Sequence, residues 1–141
     1  MNDIGLVGLG VMGENLALNV ESHGFAVGGF DLEPARRESF DARMRGRRGG
    51  SARSLQELVQ GLALPRRLLV MVPAGAAVDA VVDELRPLLA AGDVIIDGGN
   101  THFADTRRRI ADLEGSGILY VGAGVSGGEE GALRGPALMP G

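Results

Sequence analysis

The sequence contains neither cysteine nor lysine, and it has no long apolar run. Without cysteine the chain cannot form disulfides, thiolate nucleophiles or cysteine-based metal sites. No apolar stretch approaches the ~20 residues that a membrane helix needs. No basic segment precedes the first apolar residues, so we expect neither a signal peptide nor contact with a membrane. These absences favour a cytoplasmic protein.

Positive charge comes from arginine alone. The 14 basic and 18 acidic residues give a net charge of −4, which argues against a nucleic-acid partner. The two histidines have no partners at metal-ligand spacing, so we predict no metal site. Half of the arginines lie within eighteen positions, where a solvated helix and loop or an anion-binding patch would explain them. These are Arg36, Arg37, Arg43, Arg45, Arg47, Arg48 and Arg53.

Strand-like and helix-like segments alternate along the 141 residues. The predicted strands are 3–8, 25–30, 67–72, 93–96 and 118–121. Predicted helices cover 11–23, 54–59, 78–89 and 103–113. One more predicted helix begins at Pro34 and is broken by Gly46, Gly49 and Gly50. This order indicates βαβ units. The predicted fold class is α/β, with a doubly wound, mainly parallel sheet in three α/β/α layers.

The first strand leads into a glycine-rich turn. The stretch from Gly8 to Gly13 fits G-x-G-x-x-G, and it lies between a predicted strand and a predicted helix, as a Rossmann dinucleotide site requires. There the first glycine makes the tight turn, Gly10 lets a pyrophosphate approach, and Gly13 packs the helix onto the sheet. A glycine turn without a ligand is the alternative. We therefore predict one Rossmann-like dinucleotide-binding domain over residues 1–141.

An acidic residue ends the second predicted strand. Asp31 lies eighteen residues after Gly13, where a carboxylate binds the ribose hydroxyls of NAD. It would repel the 2′-phosphate of NADP, which carries ~1.5 to 2 negative charges, and Glu33 adds to that repulsion. Arg36 and Arg37 could in principle reach a phosphate, and Asp31 could instead cap the helix that begins at Pro34. The pattern favours NAD over NADP.

Four longer stretches resemble one family. DIGLVGLGVMGENLALNVESHGF, PRRLLVMVPAG, GDVIIDGGNTHFADTRRR and GILYVGAGVSGGEEGALRGPALMPG are similar to the cofactor domain of 6-phosphogluconate dehydrogenase, a β-hydroxyacid dehydrogenase family. The resemblance covers nearly the whole chain. It implies NAD(P)-dependent oxidative decarboxylation of 6-phosphogluconate to ribulose 5-phosphate in the pentose phosphate pathway. A 3-hydroxyisobutyrate-type dehydrogenase and a stand-alone nucleotide-binding module are the alternatives.

The resemblance also implies two sets of contacts. Those to the cofactor are Gly8, Leu9, Gly10, Val11, Met12, Gly13, Asp31, Leu32, Glu33, Val72, Pro73, Ala74 and Asn100, and those to the substrate are Asn100, Ser126, Gly127 and Gly128. An amide such as that of Asn100 can both donate to and accept from hydroxyls, and bare glycine backbone can approach an anion. Ordinary turns would also explain Asn100 and the stretch 126–128.

The sequence departs from the family at informative positions. NADP-using members carry Asn-Arg-Thr or Asn-Arg-Ser where this chain has Asp31, Leu32 and Glu33, which strengthens the expectation of NAD. Pro73 stands where a lysine is frequent. The family's base is a lysine and its acid a glutamate, both in a following helical domain that also forms the dimer interface. We therefore expect the chain alone to bind cofactor, to contain no catalytic residue and to lack turnover, and the parent to be a homo-oligomer.

Overall fold

The computed structural model describes residues 1–73, 75–98, 103–126 and 137–140. Seven strands of the described residues form one sheet in the order β3-β2-β1-β4-β5-β6-β7, with all neighbours parallel except β6 and β7. The strands are β1 (Ile4–Val7), β2 (Val27–Phe30), β3 (Gly49–Ser51), β4 (Arg67–Val70), β5 (Val94–Asp97), β6 (Leu119–Ser126) and β7 (Ala137–Pro140). This is the α/β, doubly wound and mainly parallel sheet that the sequence predicts.

Five α-helices of the described residues connect the strands. They are α1 (Val11–Ser22), α2 (Pro34–Arg43), α3 (Leu55–Gln60), α4 (Ala76–Leu85) and α5 (Phe103–Asp112). A 3₁₀ turn, Arg86–Leu88, follows α4. The helix predicted over 78–89 is shorter because Pro87 has no amide hydrogen to continue it. Within the described residues, none of the helices combines the length and the apolar character that crossing a membrane requires.

Two hydrophobic cores lie on opposite faces of the sheet. Leu16, Ala17 and Phe40 from α1 and α2 pack on one face, while α3 and α4 pack on the other through Leu58 and Val82. The parallel strands carry apolar side chains toward both faces, as expected for a sheet covered on both sides. The three-layer α/β/α architecture follows from these two cores.

Two strands lie where the sequence predicts none. The sequence predicts that Gly49 and Gly50 break a helix, but together with Ser51 they form β3. The residues on either side of β3 bond to β2, through Val27 N to Arg48 O (3.0 Å) and Ala52 N to Gly29 O (2.7 Å). Ala137–Pro140 lies in the stretch expected to be a glycine-rich loop, and it pairs antiparallel with β6. Both are short edge segments held by backbone bonds, which apolar periodicity does not reveal.

The strand order places a switch point at β1. The chain crosses from β1 to β2 on one side and from β3 back to β4 on the other, so the carboxyl ends of β1 and β4 are neighbours. Ligands of doubly wound sheets bind outside the carboxyl ends of the strands at such a point. A ligand site is therefore expected at the turns after Val7, Phe30 and Val70.

Candidate functional site

A cavity of about 570 Å³ lies at the carboxyl ends of β1, β2 and β4. Seven of the residues predicted to contact a cofactor line it: Gly8, Gly10, Asp31, Leu32, Glu33, Val72 and Pro73. A cavity of this size is within the range of small-molecule and cofactor sites. The structure thus brings together the glycine turn, the acidic strand end and the loop after β4.

Gly8 and Gly13 are fixed by the close packing of the turn. Gly8 has φ of +101°, and a Cβ on it would lie 2.8 Å from the backbone carbonyl of Met71. A Cβ on Gly13 would overlap the carbonyl oxygen of Gly8. Neither position can carry a side chain without moving backbone, so the turn between β1 and α1 depends on glycine at both.

Gly10 has a different surrounding. An added Cβ would meet only the Arg36 guanidinium, at 4.0 Å, so packing within the chain does not require glycine there. Gly10 is also the N-cap of α1, and it offers no side-chain acceptor to the first helical N–H groups. Uncapped N–H groups at a helix N-terminus bind phosphate and other anions. Val11, Met12 and Gly13 form that first turn.

Asp31 is the acid at the centre of the site. One carboxylate oxygen accepts from the backbone N–H of Leu9 at 2.8 Å, and the other accepts from that of Glu33 at 2.9 Å. The residue is buried, with 7% of its surface exposed. These two bonds orient the carboxylate between the glycine turn and the end of β2. Since each carboxylate oxygen has two lone-pair directions, Asp31 retains acceptor capacity toward the cavity.

The alternative that Asp31 caps α2 is wrong. The N-cap of α2 is Glu33, and it makes no side-chain capping bond. Asp31 instead binds the N–H of Glu33 from two residues upstream, which is the bond of an Asx turn. Its side chain therefore shapes the entry to α2 while facing the cavity.

Arg36 lies closer to the site than the sequence indicates. Its guanidinium is 3.5 Å from Asp31 Oδ2 and 3.4 Å from Glu33 Oε2, and it lines the cavity. Leu32 is 83% exposed and makes no comparable polar contact. With Glu84 on the opposite wall, the described lining holds three carboxylates and one guanidinium.

Sequence reasoning missed the wall formed by α4. Ala77, Ala80, Val81 and Glu84 face the cavity, together with Leu55 and Met71. The four α4 residues have i, i+3, i+4, i+7 spacing, which marks one helix face. That spacing could have identified the wall once β4 was placed beside β1. Ala77 and Ala80 contribute only a methyl group each to this wall.

Other predicted residues fall elsewhere. The Leu9 side chain is in the core, so Leu9 serves the site through its backbone. Ser126 is the last residue of β6. Ala74, Asn100, Gly127 and Gly128 lie outside the described residues, so their predicted contacts stay predictions. Within the described part of the chain, no group of three or more histidine or acidic side chains could hold a metal ion.

Several arginines of the cluster bond to neighbouring segments of the chain, and Arg37 does so by donating to the carbonyl oxygen of Asp31 at 2.9 Å. Arg43 binds Glu14 at 2.8 Å, and Arg47 binds Glu21 at 2.9 Å, so both tie the segment at and after α2 to α1. Arg48 donates to the carbonyl oxygen of Gly24. Of the cluster, Arg36 is the member that lines the cavity.

The residues fit a dinucleotide. A tight glycine turn, an uncapped helix N-terminus and an oriented carboxylate occupy the positions that such a ligand needs. The family model for the NAD binding domain of 6-phosphogluconate dehydrogenase matches residues 3–141. The chain belongs to this family.

Known relatives extend beyond this domain. The chain is 56% identical over 140 residues to the decarboxylating 6-phosphogluconate dehydrogenase of Treponema pallidum, covering 99% of the chain and 29% of that protein. The solved 6-phosphogluconate dehydrogenase of Plasmodium falciparum, described with its cofactor NADP⁺ and its substrate, is 38% identical with a TM-score of 0.92, over 98% of this chain and 30% of that one. The chain thus spans less than a third of their length.

A second dehydrogenase is also similar to this chain. The 3-hydroxyisobutyrate dehydrogenase of Mycobacterium tuberculosis, solved with L-serine, is 29% identical with a TM-score of 0.86. The match covers 100% of this chain and 46% of that protein. Similar domains therefore occur in dehydrogenases that are named for different substrates.

Proposed function

We propose that the chain is the cofactor-binding domain of a decarboxylating 6-phosphogluconate dehydrogenase that prefers NAD. This proposal rests mainly on the Asp31 carboxylate, which is held at the cavity by hydrogen bonds from the backbone N–H groups of Leu9 and Glu33. A carboxylate in this place accepts hydrogen bonds from ribose hydroxyls. Asp31 and the glycine turn would hold the adenosine half of the dinucleotide, and the bound cofactor would supply the hydride acceptor for the reaction.

The charge around Asp31 supports NAD over NADP. Asp31, Glu33 and Glu84 line the cavity, and the guanidinium of Arg36 already lies near two of them. A 2′-phosphate would add ~1.5 to 2 negative charges beside these carboxylates. Leu32 offers no cation at the position where NADP-using members have arginine. The NADP⁺ described for the Plasmodium enzyme belongs to a relative that is 38% identical.

Calorimetric titration with NAD⁺ and NADP⁺ tests the preference. We expect the dissociation constant for NAD⁺ to be at least about tenfold lower, a difference of ~1.4 kcal/mol. The double variant Asp31→Asn, Leu32→Arg should shift the ratio toward NADP⁺. Leu64→Arg is the matched control, because Leu64 is 71% exposed and does not line the cavity. Tighter binding of NADP⁺ by the unaltered chain would overturn the preference and leave dinucleotide binding intact.

The substrate, 6-phosphogluconate, is proposed on sequence similarity. At 56% identity, the Treponema relative named for this reaction is much more similar than the 3-hydroxyisobutyrate dehydrogenase at 29%. Asn100, Ser126, Gly127 and Gly128 are the proposed contacts to this sugar acid. We further propose that these contacts join a site completed by a helical domain of a longer, homo-oligomeric protein. The cytoplasmic location stays a prediction.

The 141-residue chain should bind cofactor without turnover. It contains no lysine to serve as the general base that the family uses, and a general base contributes ~10² to 10⁴ in rate. Absorbance at 340 nm, with NAD⁺ and 6-phosphogluconate at saturating concentrations, measures this directly. Steady NADH production by the purified chain would contradict the proposal.

A further inference from the structure

A buried arginine joins three elements beside the cavity. Arg109 on α5 is 1% exposed. Its Nε donates to Asp79 Oδ1 at 2.8 Å, and its two terminal nitrogens reach Gly75 O at 3.2 Å and Asp97 Oδ2 at 3.5 Å. One guanidinium thus contacts α4, the residue before α4, and the end of β5.

The two sides of this cluster lead into the candidate site. Gly75 is the N-cap of α4, and it makes no side-chain capping bond. The same segment lines the cavity just upstream, at Val72 and Pro73, and just downstream, at Ala77. The position of the first turn of α4 therefore determines the shape of one cavity wall.

The other side is anchored in the sheet. Asp97 is the last residue of β5 and is 1% exposed. The hydroxyl of Tyr120 on β6 donates to Asp97 Oδ2 at 2.6 Å. Burial and the bond to this carboxylate raise the pKa of Tyr120, so the phenol stays a donor. The carboxylate is thereby fixed in place, and Arg109 connects α4 to that fixed point.

We propose that Arg109 is a positioning residue for the dinucleotide. Its planar fork holds the first turn of α4 at a set distance from the end of β5, and it thereby sets the cavity wall formed by Ala77, Ala80 and Val81. A lysine has one compact charge and lacks the fork geometry, so it cannot bind three separated acceptors in this way. The proposal rests on dinucleotide binding at this cavity.

The test measures NAD⁺ and NADP⁺ affinity by calorimetry, well below each variant's melting temperature. Because small displacements of binding groups have large effects, we expect Arg109→Met to raise both dissociation constants at least about tenfold. Arg109→Lys, which keeps the charge, should raise them about threefold. Arg108→Gln is the matched control: Arg108 also binds Asp79, at 3.0 Å, but it is half exposed, and its other ion pairs lie within α5, to Asp105 and Asp112. It should change affinity less than about twofold.

Two further variants separate positioning from stability. Met44→Ala removes a buried side chain on the other face of the sheet and lowers the melting temperature, but it should leave affinity unchanged. Asp79→Asn removes the charge of the α4 partner of Arg109 and leaves one acceptor oxygen. Its effect on affinity should be less than additive with that of Arg109→Lys, since the two variants share the Asp79–Arg109 contact.

The outcomes distinguish the two levels of the proposal. If the unaltered chain binds neither dinucleotide, the proposed function fails and the role of Arg109 fails with it. If the chain binds but Arg109→Lys and Asp79→Asn bind equally well, Arg109 is only structural and this inference alone is overturned. Should Arg109→Met fail to fold, the Lys and Asp79→Asn variants decide the question.

Discussion

At the residue scale, the contribution of Asp31 to stability can be separated from its proposed contribution to NAD⁺ binding. Asp31→Asn replaces one acceptor oxygen with a donor that faces a backbone N–H, either of Leu9 or of Glu33. We expect the free energy of unfolding to fall by about 1–3 kcal/mol and NAD⁺ affinity to fall about tenfold. Chemical denaturation and calorimetry measure the two effects.

Asp41 provides the control for this prediction. Its carboxylate also accepts from a backbone N–H, that of Ser51 at 2.7 Å, but it does not line the cavity. Asp41→Asn should therefore lower stability and leave NAD⁺ affinity unchanged. Equal losses of affinity in both variants would show that Asp31 acts only by holding the backbone.

Individual site residues differed in how well the sequence predicted them. Gly8 and Asp31 were predictable because each occupies a fixed position relative to a strand end. Arg109 was not, because its partners lie 30 and 12 residues away, at Asp79 and Asp97. A charge pattern along one helix favours pairs within that helix, such as Asp105 with Arg109 at i,i+4 spacing. It contains no information on which face of the helix is buried.

At the element scale, α1 and α2 are joined by an ion pair whose carboxylate is buried and whose cation is partly exposed. Glu14 is 6% exposed and accepts from Arg43 at 2.8 Å and from the Ser39 hydroxyl at 3.2 Å. Arg43→Ala removes the cation and leaves the carboxylate in place, so we expect a loss of about 1–3 kcal/mol in unfolding free energy. Exposed Arg53→Ala should stay within about 0.5 kcal/mol. Urea denaturation compares the two, and equal effects would contradict the prediction.

The start of β5 has an acid-sensitive contact. Asp93 is 1% exposed. Burial opposes its charge, but the N–H groups of Ala90 and Arg66 and the Arg66 guanidinium outweigh this and lower the pKa of Asp93. Because the folded pKa is below the unfolded one, this stabilisation is present above the ordinary value near 3.8 and is lost as the pH falls through the folded pKa.

Replacing Asp93 should therefore make the free energy of unfolding less dependent on pH in the acid range. Asp93→Asn is expected to lower the free energy of unfolding at pH 7 by about 2 kcal/mol and to reduce its decline between about pH 5 and 2. Urea denaturation at several pH values gives both quantities. Exposed Asp83→Asn serves as the control. An unchanged slope in the Asp93 variant would show that other carboxylates carry the acid sensitivity.

The sequence predicted elements that carry an apolar pattern better than elements that carry none. Apolar runs such as Leu68–Val70 and the helical spacing of Val78 and Val82 identify β4 and α4, because burial on one or both faces leaves a pattern. β3 consists of two glycines and a serine, so it has no apolar pattern to detect. β7 was missed because the glycines before it indicated a loop. Both edge strands depend on a partner already in place.

At the scale of the whole molecule, ligand binding and folding are linked. A dinucleotide that binds only the folded chain stabilises it by about 2.7 kcal/mol at a concentration of 100 times its dissociation constant. For a domain of this size we expect a rise of several degrees in melting temperature. NAD⁺ should give the larger shift at equal concentration, and Asp31→Asn should reduce it. A melting temperature independent of NAD⁺ would contradict binding to the folded state.

The ionisation of Tyr120 can be followed by ultraviolet absorbance, because the chain has so few aromatic residues. Tyr120 is the only tyrosine and the chain has no tryptophan, so ultraviolet absorbance near 295 nm follows a single phenol. Its pKa is raised in the folded chain, mainly by burial. The neutral phenol is thus favoured by folding, and this stabilisation is lost as the pH rises above about 10, where the unfolded chain ionises. In an alkaline titration, the absorbance step of this one group should therefore coincide with unfolding rather than precede it.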